Sequence, residues 1–417
     1  MNFEKLNINT KLKNKINEFG FKELTSIQEK CIPEILKAKD VVGQAETGSG
    51  KTLAFCLPIL EMVKPDNGLQ VLVLTPTREL CIQVTSVFRD FGKNLGIKAI
   101  DIYGGVKIEP QIRNITNSNV VVATPGRLLD HISRKTINLG NIRFLVLDET
   151  DKMLEMGFIE DVEKIIYNLP KERQTLMFSA TISEEVYRIA RKHLKNPLMF
   201  RTKSFVDTDK LNQKYYDIYN QNDKFSLLVH LLKNSTPGLA IVFCATRRET
   251  DIVARNLRRQ RINASEIHGG MNQNKRLKSL ESLKRQKTDV LVATDVAARG
   301  LDIKDVSHVY NYDVPKTSKE YIHRIGRTAR AGKNGNAVTL LTSRDHDNFR
   351  RVQSDEKLRI EQADFPPFEK ISFFRGHNRK KTIFEIVIIK DSTDGNSGNV
   401  VPNNDWIRCG HYSRLVL

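Results

Sequence analysis

Short runs of apolar residues recur along the chain and predict most of its strands. Each run is four residues long and rich in aliphatic side chains, which is typical of strands buried on both faces. The runs lie at residues 71–74, 120–123, 144–147, 175–178, 240–243 and 290–293. Stretches with a helical period lie between them, for example at 248–260 and over part of 211–232. Strands that alternate with helices predict an α/β fold, with helices on both faces of parallel sheets.

The same pattern divides the chain. A polar stretch interrupts it at 201–211, which predicts a linker between a domain at 1–200 and a domain at 212–362. No period is sustained over residues 363–417, and we expect a flexible tail there. An RNA-binding extension and a shifted reading frame are the alternatives for this tail.

A small or polar residue follows each of the six runs: Thr75, Thr124, Asp148, Ser179, Cys244 and Thr294. Ligands bind at the carboxyl ends of the strands in open parallel sheets. The chemistry is therefore expected along one sheet edge in each half of the chain, and between the halves.

Residues 45–52, Ala-Glu-Thr-Gly-Ser-Gly-Lys-Thr, form a phosphate-binding loop pattern. Thr47, Gly48, Ser49 and Gly50 let successive backbone N–H groups turn toward a phosphate, and the helix that follows adds its positive end. Lys51 supplies a charge for the outer phosphates, and the Thr52 hydroxyl can bind Mg²⁺.

Two acids follow the third apolar run. Asp148 is suited to hold Mg²⁺, partly through water, and Glu149 is suited to orient and deprotonate the attacking water. Capping of the next helix is the structural alternative for both carboxylates.

Charge changes the picture further. The 417 residues carry a net charge of +18, and residues 201–350 alone hold 28 basic and 16 acidic residues, or +12. This excess indicates a polyanionic partner, although a solvated basic helix face explains it equally well in isolation.

The five cysteines have no C-x-x-C spacing, which argues against a zinc module, and no apolar run or leader pattern predicts membrane insertion or export. We expect a soluble, cytoplasmic protein.

From Phe3 to about Thr342 the sequence resembles the DEAD-box family of ATP-dependent RNA helicases of superfamily 2. The resemblance depends on an ordered series of segments: Gly20–Gln28, 45–52, Asp148–Asp151, Ser179–Thr181, 293–302 and His323–Arg330. It implies two tandem RecA-like domains, ATP and Mg²⁺ as cofactors, RNA as partner, and a monomer. Another superfamily 2 motor, such as a DNA helicase, and an ATP-gated RNA clamp are the alternatives.

The resemblance also assigns expected site residues. ATP contacts fall to Phe3, Phe21, Gln28 and Asp302, with Gln28 reading adenine, and Arg327 and Arg330 act as arginine fingers. Asp151, Ser179, Thr181 and His323 couple the ATP site to strand separation. RNA contacts fall to Pro76, Thr77, Arg78, Gly105, Thr124, Pro125, Gly126, Arg127, Gln273, Arg276 and Thr294.

Overall fold

The structure is a computed structural model, and it describes residues 2–46, 48–202, 211–236, 238–298, 303, 306–329, 334–356 and 358–375. Two seven-stranded sheets, whose paired strands all run parallel, organise this part of the chain. The linker prediction falls largely on residues 203–210, which lie outside the described residues. We call the two halves the first lobe and the second lobe.

The first lobe contains β1 (Val41–Gln44), β2 (Val71–Leu74), β3 (Ala99–Ile102), β4 (Val120–Ala123), β5 (Phe144–Leu147), β6 (Gln174–Ser179) and β7 (Leu198–Arg201). Their order in the sheet is β3-β4-β2-β5-β6-β1-β7. Its helices are α1 (Thr10–Glu18), α2 (Ser26–Leu36), α3 (Lys51–Met62), α4 (Arg78–Gly92), α5 (Glu109–Ile115), α6 (Pro125–Ser133), α7 (Thr150–Glu155), α8 (Ile159–Tyr167) and α9 (Glu184–His193).

The second lobe repeats this plan with β8 (Leu211–Asp217), β9 (Leu239–Phe243), β10 (Ala264–Ile267), β11 (Val290–Ala293), β12 (Val306–Asn311), β13 (Gly335–Leu341) and β14 (Glu361–Gln362). Their order is β10-β11-β9-β12-β13-β8-β14. Its helices are α10 (Asp223–Asn234), α11 (Arg247–Arg259), α12 (Gln273–Lys284), α13 (Asp295–Ala298), α14 (Ser318–Ile325) and α15 (His346–Gln353).

Each sheet has an apolar cluster on either face, because alternate strand residues point to opposite sides. In the first lobe Val71 and Val73 join one cluster, whereas Leu72 and Leu74 join the other. All six predicted runs are strands of these sheets, and the predicted α/β class is confirmed. The helical part of 211–232 begins at α10, because residues 211–217 pair with β13 and β14 and form β8.

The tail prediction needs correction for residues 363–374. Phe368, Ile371 and Phe373 pack against the apolar cluster of the second lobe, and the Phe374 backbone is hydrogen-bonded to the Asn256 side chain. We call residues 363–374 the strap. Residues 376–417, most of the predicted tail, lie outside the described part of the chain.

The remaining expectations concern cysteines and membranes. Cys31, Cys56, Cys81 and Cys244 are buried free thiols, and burial raises the pKa of Cys31 to about 12. Among the described residues no cluster of His, Cys, Asp and Glu is suited to a metal ion on its own. A search of the same residues found no helix with the length and hydrophobicity needed to traverse a bilayer.

Candidate nucleotide and RNA site

The phosphate-binding loop connects β1 to α3 and is shaped by two glycines. Gly48 and Gly50 have φ angles of 85° and 89°, a region that residues with a Cβ rarely adopt. The Ser49 hydroxyl donates to the Glu46 carbonyl at 2.7 Å and holds the turn. Lys51 is buried, and its Nζ donates to the Ala45 carbonyl at 2.7 Å, so its charge lies inside the loop. Thr52 follows in the first turn of α3, and Thr47 lies outside the described residues.

Gln28 ties the expected adenine-reading segment to this loop. Its Oε1 accepts the Thr25 N–H at 2.9 Å, and its Nε2 donates to the Gly50 carbonyl at 3.1 Å. A Cβ on Gly50 would lie 2.4 Å from Gln28 Nε2, so only glycine allows this approach. The amide keeps one further donor and one further lone pair, which is what an adenine edge needs.

Two aromatic rings belong to the same segment. Phe3 is buried and lies 6.5 Å from the partly exposed Phe21, measured between ring centroids. Phe19, a residue that the sequence analysis did not single out, stacks on Phe21 at 6.1 Å with nearly parallel ring planes. Phe21 is therefore supported from two sides and still exposes a face.

Asp148 and Glu149, the acids predicted to act in catalysis, follow β5 and are buried. Burial, assisted by the neighbouring Glu149 charge, raises the pKa of Asp148 to about 7 against the opposing charge of Lys51. Burial also acts to raise the pKa of Glu149, but the charges of Lys152, Lys51 and Arg327 outweigh it and hold that pKa below its usual range.

Lys152 is a site residue that sequence reasoning missed. Its Nζ lies 3.2 Å from Glu149 Oε2, and both side chains are almost completely buried. The signal that could have found it is its position three residues after Glu149 at the start of a helix, where side chains meet on one face.

Three of the predicted coupling residues, Asp151, Ser179 and Thr181, are joined by hydrogen bonds. Asp151 Oδ2 accepts both the backbone N–H and the hydroxyl of Thr181, each at 3.0 Å. The Ser179 hydroxyl donates to the Thr181 carbonyl at 2.7 Å and accepts the Asp151 N–H at 3.2 Å. The ends of β5 and β6 are therefore connected next to the acids.

Contacts between the lobes meet at the same edge. Glu79, on α4 of the first lobe, pairs with Arg276 Nε of α12 at 2.8 Å and accepts from Gln273 Nε2 at 3.4 Å. Lys319 of α14 pairs with Glu155 of α7 at 2.7 Å. Gln273 and Arg276, predicted to contact RNA, are thus directed at the opposite lobe.

The arginine-finger segment approaches the acids from the second lobe. Arg327 is buried, and its charge is among those that lower the pKa of Glu149. Arg324, also missed from sequence, forms a bidentate pair with Asp295, with both N–O distances at 2.6 Å, and donates to the Asp313 carbonyl. It anchors α14, which also carries the partly exposed His323. Arg330 and Asp302 lie outside the described residues.

The predicted RNA residues of the first lobe divide into two groups. Thr124, Pro125 and the exposed Gly126 begin α6, and Thr77 caps α4 after the buried Pro76, so two helix N-termini open at the carboxyl edge of the sheet. Such ends bind phosphate through free N–H groups.

Two arginines of this surface contact other residues of the first lobe. Arg127 donates to the Val106 carbonyl at 3.0 Å and to Gln111 at 3.2 Å. The Arg78 guanidinium covers Gly105, whose φ of 85° and missing Cβ make room for it. Arg127 and Arg78 therefore shape the glycine turn beside the two helix ends.

Thr294, which is also predicted to contact RNA, lies at the end of β11 and is buried in the second lobe.

Fold and site together define a two-lobed P-loop nucleoside triphosphatase. The DEAD/DEAH box helicase profile matches residues 25–189, and the profile of the helicase conserved C-terminal domain matches residues 223–332. The DEAD-box ATP-dependent RNA helicase CshA of Bacillus subtilis is 44% identical over 369 residues, which cover 88% of this chain and 75% of that protein. CshA of Listeria monocytogenes is 43% identical over 382 residues, 91% of this chain and 73% of its own. The chain belongs to the DEAD-box helicase family.

Solved structures add the arrangement of the lobes. Saccharomyces cerevisiae Dbp5 bound to RNA and ADP BeF3 is 31% identical, with a TM-score of 0.79 over 87% of this chain and 95% of that one. A DEAD box protein from Methanococcus jannaschii is 42% identical, but its TM-score is 0.54 over 87% of this chain and 99% of that one. Since the lobes share one fold, a lower score at higher identity indicates that the lobes are arranged differently. This chain adopts an arrangement like that of Dbp5 with RNA.

Proposed function

We propose that this protein is an ATP-dependent RNA helicase that binds RNA without sequence preference and separates short duplexes locally. The observation that carries the proposal is the division of one ATP site between two lobes. The phosphate loop and the acids belong to the first lobe, whereas Arg327, whose charge helps to lower the pKa of Glu149, belongs to the second.

The geometry supports a defined sequence of events. The Lys51 ammonium exchanges the Ala45 carbonyl for ATP phosphates, and Gln28 and Phe21 receive the adenine. Glu149 accepts a proton from the water that attacks the γ-phosphorus, and ADP leaves with the electrons of the broken P–O bond. Arg327 offsets negative charge that develops at the phosphoryl group.

RNA binds at the carboxyl edge of the first lobe's sheet. The helix N-termini at Thr77 and Thr124 offer N–H groups to the backbone phosphates, which carry no sequence information. ATP and RNA both favour the closed lobes, so each raises the affinity for the other. Product release reopens the lobes and frees the strand.

Mg²⁺ is part of the proposal, with Thr52 and Asp148 as its protein ligands. The residues fit the ion, because Asp148 is buried with a raised pKa beside a second carboxylate, an environment that a divalent cation relieves. Mg²⁺ usually binds through one or two protein oxygens plus phosphates and water. The ion would supply charge neutralisation at the phosphates. A monomeric state and a cytoplasmic location remain predictions.

The test compares ATP hydrolysis with and without RNA in the full chain and in Lys51→Ala. We expect RNA to stimulate hydrolysis and the variant to lose turnover, because the phosphates lose their lysine. Stimulation by DNA equal to that by RNA favours the alternative of a DNA helicase. ATP-dependent retention on single-stranded RNA without separation of a short duplex favours the RNA clamp.

A further inference from the structure

Two neighbouring helices of the second lobe end in nearly the same basic sequence. Helix α11 runs into Arg258-Arg259-Gln260-Arg261, and α12 runs into Lys284-Arg285-Gln286-Lys287. Residues 258–261 and 284–287 together hold six basic residues and no acidic residue.

The fold places the two basic turns side by side. Strands β10 and β11, which follow the turns, pair from Ala264 and Val290 onward. Asn263 Nδ2 donates to Asp289 Oδ2 at 2.9 Å, and the Asp289 N–H donates to the Asn263 carbonyl at 2.9 Å. Helices α11 and α12 pack on opposite faces of the sheet, and their basic turns lead into the amino ends of the edge strand β10 and its neighbour β11.

This surface lies away from the cleft. Helix α12 begins at Gln273, which contacts Glu79 of the first lobe, and it extends for 12 residues before the basic turn. At about 1.5 Å per residue, the turn is about 18 Å from the contact between the lobes. RNA that lies only in the cleft does not explain a concentration of cations here.

Nearby acids compensate only part of the charge. Glu266 pairs with Arg258 at 2.5 Å, but Arg261, Arg285 and Lys287 are exposed and form no ion pair within the described ranges. Cations stabilise the last turn of a helix, which accounts for Arg258 and for part of the charge beside it. Arg261 and Lys287 follow the helix ends, where that effect fades.

An aromatic ring adjoins the cations. Phe374 is 53% exposed, and the Arg259 guanidinium lies 4.5 Å from its ring centroid. The Asn256 side chain fixes the Phe374 backbone by accepting its N–H and donating to its carbonyl, both at 3.1 Å. A fixed aromatic face beside cations is what binds single-stranded nucleic acid, through base stacking and phosphate contacts.

We propose that Arg259, Arg261, Arg285, Lys287 and Phe374 form a second RNA-binding surface, which holds RNA extending beyond the cleft. We call it the outer basic surface. The inference rests on the proposed function, since it takes RNA as the partner. It predicts that affinity grows with RNA length through these residues, while ATP hydrolysis still responds to an RNA that fills only the cleft.

The test uses the full chain and the triple variant Arg261→Gln, Arg285→Gln and Lys287→Gln. Affinity is measured for single-stranded RNAs of about 6 and about 30 nucleotides over a range of salt concentrations. We expect the variant to bind the long RNA about tenfold more weakly, and the slope of log affinity against log salt to fall by about 2, or ~0.7 for each lost phosphate contact. Binding of the short RNA and the hydrolysis it stimulates stay unchanged.

A matched control neutralises three exposed lysines that precede strands of the first lobe: Lys93→Gln, Lys98→Gln and Lys171→Gln. We expect it to retain the affinity for the long RNA. Phe374→Leu, which keeps the packing and removes the aromatic face, should weaken long-RNA binding without changing the salt slope.

Three results overturn the inference: an unchanged affinity of the triple variant for long RNA, an equal loss on both RNAs, or an equal loss in the control. The first result leaves an acidic protein as the partner of this surface. If no RNA stimulates hydrolysis by the unmodified chain, the proposed function itself fails, which is a different outcome.

Discussion

The ion pair between Glu79 and Arg276 is expected to hold the closed arrangement of the lobes. Glu79 is 4% exposed and the Arg276 side chain 12%, so the pair is well enclosed. When the lobes separate, both groups return to water. Glu79→Gln keeps the shape of the side chain and removes its charge, so its effect falls mainly on the closed state.

The size of the effect follows from burial. Removing one partner of a buried pair costs about 3–5 kcal/mol. The residual exposure of Arg276 favours the lower limit, and a glutamine oxygen that still accepts a hydrogen bond reduces the cost to about 2 kcal/mol. That corresponds to about a thirtyfold shift of the closure equilibrium.

The assay is RNA affinity with and without a non-hydrolysable ATP analogue. We expect Glu79→Gln to weaken RNA binding about thirtyfold with the analogue and little without it. Asp101→Asn is the control, because it breaks an exposed pair with Arg89 within the first lobe and should change neither value by much. An equal loss in both nucleotide states, or none, would refute the reasoning.

Three further predictions concern single features. Lys152→Met should lower kcat more than it raises KM and move the acid limb of the pH–rate profile to higher pH, because the pKa of Glu149 rises without its buried partner; an unmoved limb contradicts this. In urea unfolding, a chain that ends at residue 362 should have a second lobe about 3 kcal/mol less stable than that of a chain that ends at residue 375, because three apolar strap residues lose partial burial. Equal urea midpoints of the two chains exclude a stabilising strap. Burial, with the Arg127 charge, lowers the pKa of His131 below 6.5. The unfolded state then binds more protons, so the stability of the fold decreases as the pH falls through 6.5. In thermal melts, His131→Gln should lose less stability over the same pH change.

Several strands were not predicted from the sequence because polar residues interrupt their apolar runs. Edge strands β3 and β10 carry Asp101 in one case and Ser265 and Glu266 in the other, so no continuous apolar run marks them. Strand β12 is central, yet it contains His308 and Asn311, which are buried because neighbouring strands supply hydrogen-bond partners. Such partners come from distant parts of the chain and leave no local signal.

The sequence by itself determined the α/β class and predicted the residues that are expected to carry the chemistry. It could do so because the phosphate loop, the acids and the coupling segment are local patterns that directly follow buried strands. Asp151 and Thr181 lie within hydrogen-bond distance because β5 and β6 are neighbours in one sheet.

Tertiary structure alone decided which cations face which acids. Arg276 of α12 pairs with Glu79 of α4, and Lys319 of α14 pairs with Glu155 of α7. The two basic turns likewise become one surface only because β10 and β11 pair. In each case the energy of a charge depends on burial and on distance to a partner, and both are set by packing between elements that are distant along the chain.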